Sequence, residues 1–275
     1  MNETTSGSSS LPLKWHGGKH YLANWIIGKF PQHKHYVEAF FGSGAVLFAK
    51  PWELVNDHSE VVNDLNGNLA NFWRTLRDAE HFSAFVRQVE ATPFSKETWQ
   101  ESKELNSNQI DRAVKFFVRY RQSRQGLGRD FATLSRNRTR RGMNEQVSSW
   151  LSAIEGLPSA HERLKRVVIY NENAIDTIER EDGVHSFFYL DPPYLPETRT
   201  VKNCYEHEMP VEEHIRLLDT LTSIKGKFLL SGYPNDLYRL VAKRNGWNHT
   251  EMAIDNKSSG SKIKPKKIEC LWSNY

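Results

Sequence analysis

The stretch YVEAFFGSGAVLFAK, residues 36–50, changes character twice within a short span. Residues 36–41 are aromatic, β-branched or small and read as a strand. Gly42-Ser43-Gly44 interrupts it with a pattern suited to a tight turn and close backbone approach. The apolar AVLFAK that follows opens a helix. Downstream, EVVND (60–64) is a second strand, and NLANFWRTLR carries Leu69, Phe72, Trp73 and Leu76 at helical spacing. Strand, glycine turn, helix, strand, helix is the opening of a doubly wound α/β sheet.

The same alternation returns late in the chain. RVVIY (166–170) is a strand, AIDTIER a short helix, and HSFFYL (185–190) a nearly all-apolar strand of the kind buried on both faces. VEEHIRLLDTLTSI (211–224) is an amphipathic helix, KFLLS (227–231) a strand, and DLYRLVAKRNG a helix ending at Gly246. WNHTEMAI and KKIECLWSN close the sheet as an antiparallel pair. Between the two α/β stretches, from about Asp78 to Lys165, helical patterns dominate and no strand is expected. HFSAFVRQVE, IDRAVKFFVRY and NEQVSSWLSAIEGL are helices, the last closed by Gly156 and Pro158. The intervening RQSRQGLGRDFATLSRNRTRRGMN reads as a loop. The expected organisation is a catalytic domain of residues 11–77 and 166–275, a helical lobe inserted at 78–165, and a disordered lead-in at 1–10.

Composition bounds the function. With 38% hydrophobic and 25% charged residues the chain is an ordinary globular protein, and no apolar run approaches the roughly 20 residues that span a bilayer. The N-terminal MNETTSGSSS lacks the apolar core of a secretory signal. Two cysteines, Cys204 and Cys270, exclude a disulfide scaffold and suit reduced thiols in a cytoplasmic protein, with one bridge left open. The net charge of +4 is unevenly spread: residues 112–141 hold nine arginines and Lys115 against Asp130 alone, so they carry +9 and leave −5 for the rest. A basic patch on an otherwise acidic protein points to a polyanionic partner. The plainer alternative is a solvated, arginine-rich helix pair.

Three motifs bear on ligand binding. The glycine turn precedes a helix N-terminus, where free N–H groups gather, yet it lacks the third glycine of a dinucleotide fingerprint and the Lys-Ser/Thr of a phosphate loop. Asp64 ends the next strand about twenty residues on, where an acid accepts hydrogen bonds from ribose hydroxyls. The alternative role for Asp64 is to cap the following helix, and Asp57 is a rival for the ribose. LKWHGGKHYLANWI (13–26) has a Gly-Gly pair before Lys19 and suits a loop over a bound cofactor, Lys19 meeting a carboxylate and Trp15 stacking on a ring.

The fourth motif ends the apolar strand: FFYLDPPYLPET, 187–198. Ligands of α/β sheets bind beyond the carboxyl ends of the strands. Asp191 is delivered there, and two prolines restrict the backbone around it. A carboxylate next to proline carbonyls offers hydrogen-bond acceptors with no N–H donor from either proline. That suits a substrate bearing an amine, while Tyr194 offers a stacking face for a heteroaromatic base.

DPPY at 191–194, EAFFGSG at 38–44, KWHGGK at 14–19 and VNDLNG at 62–67 together resemble the Dam-type (D12 class) adenine-N6 DNA methyltransferases. The motif order is similar to that of the α group: cofactor motifs, an inserted recognition region, then the catalytic motif. The resemblance implies a Rossmann-like S-adenosylmethionine-dependent methyltransferase sheet with an inserted helical target-recognition lobe. It implies S-adenosylmethionine as cofactor, with Trp15 and Lys19 in contact with it, Phe41, Gly42, Ser43 and Gly44 lining it, and Asp64 on its ribose. Asp191, adjoining the cofactor as well, and the carbonyl of Pro192 would accept hydrogen bonds from the adenine amine, with Pro193 fixing the turn and Tyr194 stacking on the base. NENAID (171–176) sits where the family touches an adenine, so Asn173, and after it Asp176, are candidates. Lys14 would face DNA, and Arg119, Arg121, Arg124, Arg129, Arg136 and Arg138 would grip phosphates and read base edges. RYRQSRQGLGRDF departs from the family's recognition stretch, so no target sequence is carried over.

The expected partner is double-stranded DNA, with a cognate restriction endonuclease as a further one and no membrane. Because adenine N6 lies inside the stacked duplex, the base must be flipped out. Catalysis would come from alignment and electrostatics, without a covalent nucleophile or a metal, since the close pair His33 and His35 has no Cys or carboxylate pattern to complete a site. Two other readings are an S-adenosylmethionine-dependent methyltransferase of structured RNA and a non-catalytic nucleic-acid-binding protein.

Overall fold

The computed structural model describes residues 11–51, 54, 58–105, 108–198, 207–255 and 266–275. The N-terminal lead-in, Asp57 and Cys204 lie outside the described residues. By its internal contacts the chain divides into two compact units. One comprises the chain up to Gly28 with 42–51 and 67–169; the other comprises 29–41, 52–66 and 170–275.

The second unit carries the sheet. Its strands are β1 (His35–Glu38), β2 (Ser59–Asn63), β5 (Val167–Tyr170, within which the unit boundary falls), β6 (Ser186–Leu190), β7 (Lys227–Gly232), β8 (Asn248–Asp255) and β9 (Lys266–Ser273). Their spatial order is β5-β2-β1-β6-β7-β9-β8. β2, β1, β6 and β7 run parallel, whereas β9 pairs antiparallel with β7 and β8 antiparallel with β9. Every residue of β6 is buried, as expected of a central strand covered on both faces. β1 ends at Glu38, earlier than the expected strand through Phe41, although the Phe41 N–H still donates to the Asn63 carbonyl at 2.9 Å.

Three helices of this unit show how local pattern sets burial. α10 (Val211–Ser223) buries His214, Leu217, Leu218 and Leu221, one face at spacings of three and four. α11 (Asp236–Asn245) is capped by Asn235, whose side chain accepts from the Tyr238 N–H. α9 (Ala174–Arg180) has Asn173 as its N-cap. The core they cover includes Val37, Phe188, Leu190, Leu217, Phe228 and Trp272.

The first unit is built of helices: α1 (Ala23–Ile27), α2 (Ala45–Ala49), α3 (Gly67–Arg77), α4 (Ala79–Ala91), α5 (Lys96–Glu101), α6 (Gln109–Arg121), α7 (Glu145–Glu155) and α8 (Leu157–Leu164). The α3 stripe of Leu69, Phe72, Trp73 and Leu76 is buried. Phe72 meets Phe85 of α4 edge-on and stacks against Phe117 of α6, and Phe117 in turn meets Trp150 of α7. Two expectations for this region are corrected. Pro158 does not close a helix; Gly156 ends α7 and Pro158 sits in the first turn of α8, where its missing N–H would have had no intrahelical partner. The expected loop also holds a hairpin, β3 (Thr139–Arg140) with β4 (Met143–Asn144), turning at Arg141-Gly142. Two-residue strands carry no readable alternation, so composition gave no sign of them. Among the described residues no helix is long and apolar enough to cross a membrane.

Candidate active site

β1 and β6 lie side by side in register, Glu38 opposite Tyr189. From this pair the sheet extends through β2 and β5 on one flank and through β7, β9 and β8 on the other. The strand order therefore reverses between β1 and β6, and a ligand crevice opens beyond the carboxyl ends at such a reversal. Asp191 is the first residue after β6, and the turn 39–44 follows directly on β1.

Asp191 is half-buried, Pro192 buried and Tyr194 only 5% exposed. The Tyr194 hydroxyl donates to a carboxylate oxygen of Glu269 on β9, and its ring meets Tyr233 edge-on at 4.6 Å between centroids. Burial first, then the negative charges of Asp191 and Glu269, hold the phenol far above its ordinary pKa, so it stays a protonated donor. The expected stacking residue is thus fixed by its hydroxyl and one ring edge.

Asp64 stands at the end of β2, where one carboxylate oxygen accepts the Asn66 N–H at 3.0 Å in the turn that leads to α3. That bond closes the turn ahead of α3, which begins at Gly67. Asn173 caps α9, accepting from the Ile175 N–H at 2.8 Å. Asn63 is a residue that the sequence reading passed over. Wholly buried, its amide donates to the carbonyls of Ala39 and Glu172 and accepts from the Glu172 N–H, all within 3.1 Å. It ties together the chain after β1, the end of β2 and the chain after β5. Its signal was an amide inside the apolar run EVVND. Asn63→Ala leaves those backbone groups unsatisfied and is expected to lower stability by about 1–3 kcal/mol, read from the urea midpoint.

The first unit assembles the other cofactor candidates. Gly42 and Gly44 have φ of +50° and +67°, conformations costly for residues with a Cβ. The Gly42 carbonyl accepts from the Trp73 indole N–H at 3.1 Å, and Trp15 lies so near that a Cβ on Gly42 would come within 3.4 Å of its indole nitrogen. Ser43 is buried against Gly18. Lys19 is buried and donates to the Gly17 carbonyl at 3.2 Å. Trp15 also packs on Tyr120 of α6, 4.7 Å between rings. Trp15, Gly18, Gly42 and Ser43 therefore form one packed group.

The basic candidates fall into two sets. Lys14 donates to the Ser123 carbonyl at 3.3 Å, with its pKa lowered chiefly by burial. Arg119 donates to the Gly128 carbonyl, and Arg121 to those of Leu11 and Ser149. Burial pushes the Arg121 guanidinium down to about 10, still far above neutrality. These three bind the protein's own backbone. Arg124, Arg129, Arg136 and Arg138 are exposed, Arg138 lying 3.7 Å from Glu145.

Register also gathers a group that linear spacing concealed. His249 and Glu251 of β8 and Cys270 of β9 place their donor atoms within 4.8 Å of one another. Glu251 also faces Arg239 at 3.9 Å, and burial, followed by Glu251, pushes the Cys270 thiol up to about 12.

A mostly parallel seven-stranded sheet, with an acid-Pro-Pro-Tyr turn where its strand order reverses, is consistent with the fold of an α/β methyltransferase. The chain belongs to the D12 class N6 adenine-specific DNA methyltransferases, whose family pattern matches residues 15–254. It is 26% identical to the type II methyltransferase M1.LlaDCHI of Lactococcus lactis subsp. cremoris, across 95% of this chain and 94% of that protein. It is also 26% identical to the DNA N-6-adenine-methyltransferase of Escherichia phage P1, across 81% of this chain; that match spans 30% of the phage protein. The protein is accordingly an adenine-specific DNA methyltransferase that uses a methyl donor.

Proposed function

We propose that the methyl donor is S-adenosylmethionine and that the substrate is an adenine flipped from double-stranded DNA at a specific sequence. The observation that carries this reading is Asp191, set immediately after the buried central strand β6 at the strand-order reversal. The cofactor roles are assigned by the family's motifs and suit the chemistry of each residue: a glycine turn that admits close backbone approach, the buried Phe41, and the Asp64 carboxylate at the end of β2. Trp15 and Lys19 are assigned to the cofactor on the same ground. When bound, S-adenosylmethionine supplies a methyl group activated on a sulfonium.

The chain's own residues act on the adenine. Its N6 lone pair is delocalised into the ring, which makes the amine a poor nucleophile. Asp191 and the Pro192 carbonyl accept its two protons in hydrogen bonds, favour a pyramidal nitrogen and orient the lone pair, a contribution of alignment and electrostatics. Pro193 holds the turn, and Tyr194 bears on the flipped base. Asn173, the cap of α9, is assigned a contact to an adenine by the family's motif alone.

Residues 78–165 serve as the target-recognition lobe on a catalytic domain of 11–77 and 166–275. Phosphate contacts come from the exposed Arg124, Arg129, Arg136 and Arg138, while Lys14, Arg119 and Arg121 brace the segments that present them. Arg136→Ala is expected to weaken DNA binding for all sequences alike and to reduce the slope of log affinity against log salt by about one. The likeness to a type II methyltransferase supports a restriction endonuclease of matching specificity as a partner, within a cytoplasm. The test is expression in a host that lacks DNA methylation, followed by mapping of modified adenines by sequencing. Methylated adenine at one recurring sequence is the expected result; methyl transfer to RNA alone would refute the proposal.

A further inference from the structure

We infer that Glu269 is a positioning residue for methyl transfer, holding the Tyr194 ring in the orientation that receives the target base. The inference rests on the function proposed above and deepens it.

The geometry begins with strand length. The last pair between β7 and β9 is Gly232 with Cys270. Because the two strands are antiparallel, residues before Cys270 in β9 overhang the carboxyl end of β7, the edge at which Asp191 emerges from β6. Glu269 is the first residue of that overhang and is 1% exposed. Side chains alternate along a strand, so Lys267 and Glu269 share one face of β9, opposite to Cys270. On that face Glu269 accepts the Tyr194 hydroxyl, and the Lys267 ammonium lies 4.7 Å from the centre of the Tyr233 ring. Tyr233 follows directly on β7 and packs edge-on against Tyr194. Two consecutive face positions of β9 thus secure the tyrosine, one through its hydroxyl and one through its neighbour.

Burying a carboxylate is costly unless it is hydrogen-bonded, and this one is placed where it meets the phenol of the catalytic turn. A tyrosine ring has two side-chain torsions; anchoring the hydroxyl removes the freedom to swing and fixes the plane of the ring. Burial, and after it the acids Asp191 and Glu269, keep the phenol protonated, so it donates throughout the neutral range. Stacking needs a defined ring plane, and displacement by about 1 Å can cost 10²-fold in rate.

The test compares Glu269→Ala, Glu269→Gln, Tyr194→Phe and the double variant Tyr194→Phe/Glu269→Ala on a duplex carrying the mapped target site. Steady-state kcat, DNA affinity and thermal midpoint are measured for each. Glu269→Ala is expected to lower kcat by about 10²-fold with DNA affinity little changed. Tyr194→Phe should give a similar loss, and the double variant no further loss, because both remove one interaction. Glu269→Gln keeps an acceptor and should restore most of the rate. Unchanged kcat in Glu269→Ala, multiplicative losses in the double variant, or a glutamine variant as slow as alanine would each overturn the inference. If Glu269→Ala does not fold, Tyr194→Phe, which deletes only the donor, decides by the same rate criterion. A wild-type protein that transfers no methyl group to DNA overturns the underlying reading, and this inference with it; full wild-type activity with an unaffected variant overturns this inference alone.

Discussion

Asp191→Ala is expected to lower the rate of adenine methylation by about 10³-fold, the scale seen when one preorganised charge-stabilising group is removed from an active site. The loss should appear in kcat, with DNA affinity largely intact, because the basic groups proposed to contact phosphate lie elsewhere in the chain. Asp191 follows a strand buried along its whole length, and the succeeding prolines restrict it, so the alanine variant should keep its fold. Asp191→Asn is not a mild change. It retains one acceptor but turns an amide donor toward an amine that is itself a donor, and it removes the negative charge. Single-turnover methylation with a mapped duplex, alongside equilibrium DNA binding, checks both variants. A normal single-turnover rate in Asp191→Ala would remove this carboxylate from the mechanism.

Gly126→Ala should produce the largest structural effect. Gly126 has φ +69° and lies against the backbone of Lys14. A Cβ there would fall 2.3 Å from the Lys14 carbonyl oxygen and 2.7 Å from its carbonyl carbon. Backbone atoms cannot rotate aside as a long side chain can. The expected cost is about 1–3 kcal/mol for overpacking, added to about 1–2 kcal/mol for the left-handed conformation. The displaced segment is the one that carries Trp15, which packs on Gly42 and Tyr120. Gly126→Ala should therefore lower the denaturation midpoint and also weaken binding of the methyl donor, although residue 126 belongs to the arginine-rich stretch. Wild-type midpoint and donor affinity in this variant would show that the Lys14 backbone yields at no cost.

Much of the α/β alternation was readable because it rests on local periods. The α3 stripe repeats at helical spacing, and the apolar run of β6 is bounded by a proline turn that ends any strand. The readings that needed correction lay where local signals are ambiguous. A proline after a glycine marks either a helix end or the first turn of the next helix, and Pro158 is the second. The hairpin at 139–144 has strands too short to show a period.

The candidate site was legible to the same degree. The glycine turn and Asp191 stand out because strand-ending glycines and prolines follow apolar runs. The arginines did not sort themselves: Arg121 and Arg136 look alike in sequence, yet one is bound to the carbonyls of Leu11 and Ser149 and the other is exposed. Which cation faces solvent depends on what packs beside it.

Taken alone, the order of residues determined that a buried strand would present an acid and a tyrosine at its end, since hydrophobic period and proline torsion act over a few neighbours. Only the tertiary structure decided that β9 runs antiparallel past the end of β7 and sets Glu269 on the Tyr194 hydroxyl, seventy-five residues away in the chain. Such a contact follows from strand pairing and register, which are settled by packing across the whole sheet and leave no mark in either segment by itself.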